Sequence, residues 1–314
     1  MIGVARIPPP GRIVDAGGVR LHLDVKGDTR PVVVFDAALG ASSLSWALVV
    51  PAASAFARTC TYDRAGFGWS EAGPLPRTVT RVAGELRLAL EVAGERPPFL
   101  LVGHSFGGLV MRVFAARYRR DVAGLVLVDP AHPEDWANPA PKEQDRIDRG
   151  VRLCGYGRTA ARLGLARLVA WLVGVGAVPL ARRLANLVSR RTIEPDIDFI
   201  LAPFFKLPPE VRAPVRQFWT RPAFFEALGS QIASMHESAA EAIEATREGY
   251  GDLPLVTISR ASLDDHTRRR QDAVAALSSH GRHIVARRGG HWIPLDDPDL
   301  IVDEIRAMHG TLRL

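Results

Sequence analysis

The chain has 314 residues, 47% of them hydrophobic and 24% charged, with a formal net charge of +6. That size and balance fit a globular protein with a full core and exclude a disordered or disulfide-stapled chain. Lysine occurs only at 26, 142 and 206, so the basic excess is arginine mixed with carboxylates, and no nucleic-acid-binding module accompanies it.

Strand signals crowd the first third. Arg12–Asp15 and Val19–Val25 alternate apolar and polar residues around Gly17-Gly18, which predicts a hairpin. Pro31–Phe35 is a continuous β-branched run suited to a strand covered on both faces. Thr59–Asp63, Phe99–Val102 and Gly124–Asp129 repeat that character, with a helical pattern over Val79–Val92 between them. Strands alternating with helices predict a doubly wound, mostly parallel α/β sheet. The rhythm stops after Asp129; residues 133–235 read as a helical insertion, and residues 1–132 and 236–314 as the core. Strand character returns at Leu253–Ser259 and Arg282–Ala286, before an amphipathic helix over Pro298–Met308. Because ligands of open α/β sheets bind at the carboxyl ends of the strands, the insertion is expected to form a lid there.

Gly103-His104-Ser105-Phe106-Gly107-Gly108 lies between an apolar strand and a helix. A serine on such a turn is a nucleophile elbow, and the flanking glycines give the strand and helix room. Serine needs a base to become nucleophilic. Among nine histidines His291 is the choice, because Gly289-Gly290 lets the loop before the last helix carry an imidazole over the strand ends. His104 is read as pointing away from the nucleophile. For the acid that orients the base, Asp129 comes first, with Asp264 and then Asp265 as alternatives. Asp264 and Asp265 also suit a helix N-cap, and Asp129 also suits a turn before Pro130. The oxyanion donors are expected to be the amides of Phe106 and of Ala38, with Leu39 as the neighbouring candidate.

These motifs resemble the α/β-hydrolase fold family, including bacterial esterases, haloalkane dehalogenases and prolyl aminopeptidases. The elbow, Tyr62-Asp63-Arg64-Ala65-Gly66-Phe67-Gly68-Trp69-Ser70, Leu125–Asp129 and Gly290-His291 carry the likeness, which covers Arg12–Asp129 and Leu253–Met308. The resemblance implies structural roles for Asp63 and Arg64. Two departures stand out. Asp36-Ala37 replaces the His-Gly common after the third strand. The usual acid loop has Arg260 in place of glycine and Asp264 one residue late. Relatives that carry the acid after the preceding strand match Asp129. Serine at the elbow argues against dehalogenase and epoxide hydrolase chemistry, which use aspartate there.

The resulting expectation is a serine hydrolase acting on a small-molecule carboxylic ester through an acyl-enzyme. Two alternatives stay open: the same triad on an amide, a lactone or a C–C bond, and a catalytically silent ligand-binding relative. No metal-ligand spacing or phosphate loop occurs, and the chemistry calls for no cofactor. The opening residues lack a secretory pattern, and Cys60 and Cys154 suggest free thiols, so a reducing cytoplasm is expected. Arginines from Arg158 to Arg191 punctuate an apolar segment with Leu163, Leu168, Trp171 and Leu187. It reads as a lid helix with its apolar face over the site, or else as an interfacial helix touching anionic lipid.

Overall fold

The computed structural model describes residues 7–190 and 197–312. Met1–Arg6 and Arg191 of the sequence reading lie outside them. Eight strands form one sheet in the order β1-β2-β4-β3-β5-β6-β7-β8. They are β1 (Arg12–Asp15), β2 (Arg20–Lys26), β3 (Val32–Asp36), β4 (Thr59–Tyr62), β5 (Phe99–His104), β6 (Val122–Val128), β7 (Leu255–Ser259) and β8 (Gly281–Val285). β2 runs antiparallel to β1 and β4, and β3 to β8 pair in parallel.

Successive strand residues face opposite sides, and the central strands use both. Val32, Val34, Leu101, Leu125 and Leu255 pack into one apolar cluster with α2 (Val79–Val92) and α3 (Phe106–Arg117). Val33, Phe35, Leu100, Val102, Val126 and Val256 enter a second with α1 (Val50–Ser54) and the C-terminal helix. With a cluster on each face, β3 and β5 are buried throughout and apolar except where they end, at Asp36 and at Gly103-His104.

Between β6 and β7 the chain is helical. It comprises α4 (Glu134–Ala137), α5 (Pro141–Arg162), α6 (Leu165–Gly174), α7 (Val178–Val188), α8 (Ile197–Lys206), α9 (Pro209–Phe218), α10 (Pro222–Ala233) and α11 (Met235–Ala245). α5 lies along α10, where a side chain at Gly157 would run into the Phe225 ring. α11 packs on α2 and α3, returning the chain to the sheet layers. After β7 come α12 (Asp265–Ala275), α13 (Ile293–Asp296) and α14 (Pro298–Thr311). Among the described residues no helix is long and apolar enough to cross a membrane. Cys60 and Cys154 are free and buried.

Candidate active site

Ser105 sits between β5 and α3 at φ 54°, ψ −116°, a conformation that costs a non-glycine residue roughly 1–3 kcal/mol. The surroundings hold it there. Its N–H donates to Val128 O at 3.0 Å, and its carbonyl accepts from Gly108 N at 2.9 Å and Ala131 N at 3.2 Å. A Cβ on Gly103 would lie 2.5 Å from Gly107 O, and one on Gly107 would lie 2.5 Å from Asp36 O. Both glycines are therefore required by close backbone approach. Ser105 remains partly accessible while its helical neighbours are buried.

Asp129 follows β6 at φ 37°, with its N–H donating to Ile258 O of β7 at 2.6 Å. This bend brings the carboxylate to His291: Nδ1 lies 2.6 Å from Asp129 Oδ2. Arg260 adds its main-chain N–H to Oδ1 and its guanidinium to Oδ2, each at 3.5 Å. Burial pushes the Asp129 carboxyl up. The His291 hydrogen bond and the His291 and Arg260 charges outweigh burial and hold it below the ordinary carboxylate value.

Asp264, the alternative acid, is used elsewhere. It is exposed, caps α12, and accepts from Thr267 N at 2.6 Å. The distance to His291 was never legible locally; the cap was. Asp265 is exposed in the first turn of the same helix.

The loop after β3 is held by Arg64. Its Nη1 donates to Asp36 Oδ1 at 2.9 Å and to Ala37 O at 2.7 Å, and its Nη2 donates to Ala38 O at 2.5 Å. A trans peptide points its N–H opposite its carbonyl. With the Ala37 and Ala38 carbonyls turned to the guanidinium, the N–H groups of Ala38 and Leu39 face the other way. Asp36 is thus an ion-pair partner of Arg64, both side chains being buried. Burial raises the Asp36 carboxyl above its usual value despite the opposing pull of Arg64. The remaining expected donor, Phe106 N, is the first amide of α3 and so has no partner within the helix. Asp63 ties neighbouring loops together, accepting from Ser43 N at 2.7 Å and Trp69 N at 3.1 Å and bonding His22 Nδ1 at 2.9 Å.

The sequence reading turns His104 away from the nucleophile, as observed, but does not foresee what it bonds. Its ring points into the core, and Nε2 lies 2.7 Å from the carbonyl oxygen of His291. The rings of His104 and His291 are 4.9 Å apart between centroids. Burial and the His291 charge lower His104 to about 3, so it is neutral and donates through Nε2. Only its place before Ser105 on a buried strand hinted at an inward role.

An apolar cavity of about 500 Å³ lies under the helical insertion. Leu39 and Gly40, next in the chain to Ala38, and Trp292, next to His291, form part of its wall. Phe204, Phe218 and Phe224 contribute from the insertion, and Phe204 and Phe224 also belong to its apolar clusters.

A strand-borne serine elbow, an acid–histidine pair between the loops after β6 and β8 and an eight-stranded, largely parallel sheet define an α/β-hydrolase fold. The chain belongs to the alpha/beta hydrolase family, whose family model matches residues 33–304. It is 36% identical over 106 residues to the uncharacterised protein YqjL of Bacillus subtilis, a match covering 34% of this chain and 42% of that one. The matched stretch spans less than half the length of each of the first curated relatives. Among solved structures, Cfl2 of Burkholderia cenocepacia superposes with a TM-score of 0.70 at 21% identity, covering 95% of both chains. A thermophilic esterase of Thermogutta terrifontis superposes at 0.65 with 19% identity, covering 97% of this chain and 100% of the other. At these identities the likeness is one of fold.

Proposed function

We propose that the protein is a serine hydrolase cleaving carboxylic esters through an acyl-enzyme. The observation that carries this reading is the 2.6 Å contact between His291 Nδ1 and Asp129 Oδ2 beside a serine held at positive φ. With Nδ1 engaged by the carboxylate, Nε2 is the nitrogen that takes the Ser105 proton as Oγ attacks the ester carbonyl. The oxyanion is stabilised by the amides of Phe106 and Ala38. Collapse expels the alcohol, which receives the proton from His291. Water, deprotonated by His291, then adds to the acyl carbon, and release of the carboxylic acid restores Ser105.

The helical insertion over 133–235 acts as the lid, and the cavity under it takes the apolar acyl group. A cavity of this volume is in the range that encloses a small-molecule ligand. A fluorophosphonate probe is expected to label the protein at Ser105. Ser105→Ala is expected to keep the unfolding temperature, lose labelling and lose turnover of p-nitrophenyl butyrate. Turnover retained by Ser105→Ala would remove this mechanism.

A further inference from the structure

The α6–α7 hairpin has two unlike faces. Its inner side chains, Leu172, Val173 and Ala181, are buried in a cluster with Phe204 and Leu207. Its outer side chains are not covered. Leu163, Leu168, Trp171, Val175, Leu180 and Leu187 are between 44% and 76% exposed, and they are six of the thirteen large apolar side chains left exposed among the described residues. Leu168 and Trp171 on α6 and Val175 at its C-cap recur at helical spacing, as do Leu180 and Leu187 on α7. The segment thus carries two apolar faces: one packs inward, and the other meets solvent.

Charge is the second observation. From Arg149 to Ile193 the chain carries nine arginines and no aspartate or glutamate. Arg162, Arg167, Arg183 and Arg190 are exposed. Arg167 is four residues before Trp171, and Arg183 lies between Leu180 and Leu187 on the same helical stripe. Arg158 differs, pairing with Glu226 at 3.4 Å. Long arginine stems lie along apolar surface while their heads reach phosphate.

We propose that this outer face docks on an anionic phospholipid surface, with Trp171 and the leucines in the acyl boundary and the arginines among the headgroups. An apolar helix face edged by arginine is the pattern of an interfacial segment, and each basic residue near such a surface is worth about 1 kcal/mol of binding. A second copy of the chain fits less well, because a twofold contact would bring together the arginines of α6 and α7, two helices that carry no carboxylate to offset them. Docking would leave the inner faces of α6 and α7, which line the cavity through Ala170 and Ala181, turned away from the bilayer, so that the two helices separate the cavity from the lipid.

The test is flotation of the full chain with unilamellar vesicles. The expected result is capture by equimolar phosphatidylglycerol and phosphatidylcholine, weak capture by phosphatidylcholine alone, and release as salt rises. Arg167→Gln with Arg183→Gln should weaken capture by roughly tenfold or more on the anionic vesicles. Trp171→Ser with Leu187→Ser should weaken it on both kinds, with unfolding temperatures unchanged for both variants. No capture of the wild type, or capture that neither pair of substitutions alters, overturns the proposal. A concentration-dependent dimer abolished by Trp171→Ser, with no vesicle binding, overturns it in favour of self-association.

Discussion

His104 Nε2 donates to the main-chain carbonyl of His291 at 2.7 Å, so the residue before the elbow serine holds the backbone of the loop that carries the imidazole. The two residues are 187 positions apart in sequence. Removing this tether with His104→Ala is expected to lower kcat by up to about a hundredfold, the scale on which a misplacement of about 1 Å acts, with little change in KM. His104→Gln keeps a donor and should recover part of the loss. Equal losses in both variants would show that the ring's volume, and not its N–H, is what matters.

The same residue makes stability depend on pH. Its folded value of about 3 lies below the ordinary 6.5, so the unfolded chain takes up the proton first. Stability is complete above pH 6.5 and falls as pH drops from there toward 3, with a slope approaching about 1.4 kcal/mol per pH unit from this group. Denaturant midpoints measured across that window should show the slope in the wild type and a shallower one in His104→Gln. Asp129 acts in the same sense further down: its lowered carboxyl adds stability above the usual carboxylate range that is lost as the pH falls through its folded value.

Asp129 and Asp264 separate cleanly by substitution. Asp129→Asn leaves the imidazole with a partner that can impose the wrong tautomer, and ester turnover should fall by about 10⁴. Asp264→Asn alters only a cap on α12, and turnover should stay at the wild-type level. Initial rates on one soluble ester suffice to compare them.

Arg64 ties the β3 loop at three points, so Arg64→Met should do two things. It leaves the Asp36 carboxylate buried without its cation, costing about 3–5 kcal/mol in chemical denaturation. It also frees the Ala37 and Ala38 carbonyls, so a loss in kcat should persist in Arg64→Met with Asp36→Leu even where that pair recovers stability. Full activity in the double variant would mean that the loop keeps its orientation without the guanidinium.

Chain length reads the cavity. Each added methylene of an acyl ester is worth about 0.8 kcal/mol when buried, or roughly fourfold in kcat/KM. The gain should continue along a p-nitrophenyl ester series until the cavity is full. Ala170→Phe, which fills part of the lining, should move the plateau to shorter chains. A wild-type profile that peaks at acetate would exclude the cavity as the acyl site.

Much of this architecture was readable in the residues. The continuous apolar runs Val32–Phe35 and the one before Gly103 encode strands buried on both faces, because side-chain direction has a period of two and both directions meet core, a requirement met within a few residues. Ser105 and its glycines were legible for the same reason: a sharp turn with a close approach limits which side chains fit. His291 came from its loop and its glycines. The helical insertion carried no such local constraint, and the division of α6 and α7 into a packed face and a bare one could not be read from an apolar composition that both faces share.

Local chemistry thus specified the strands, the elbow and the loop that bears His291, since backbone torsion and hydrophobic period act over short stretches of chain. Choosing among polar partners required the folded molecule. Asp129 and Asp264 look alike in sequence, but the pairing of β7 with both β6 and β8 carries one carboxylate to an imidazole 162 residues away, while the other finds an amide three residues on. Arg64 and His104 obey the same rule. A buried hydrogen-bonding group is satisfied by whatever the packing brings within about 3 Å, and that distance is a property of the assembled sheet.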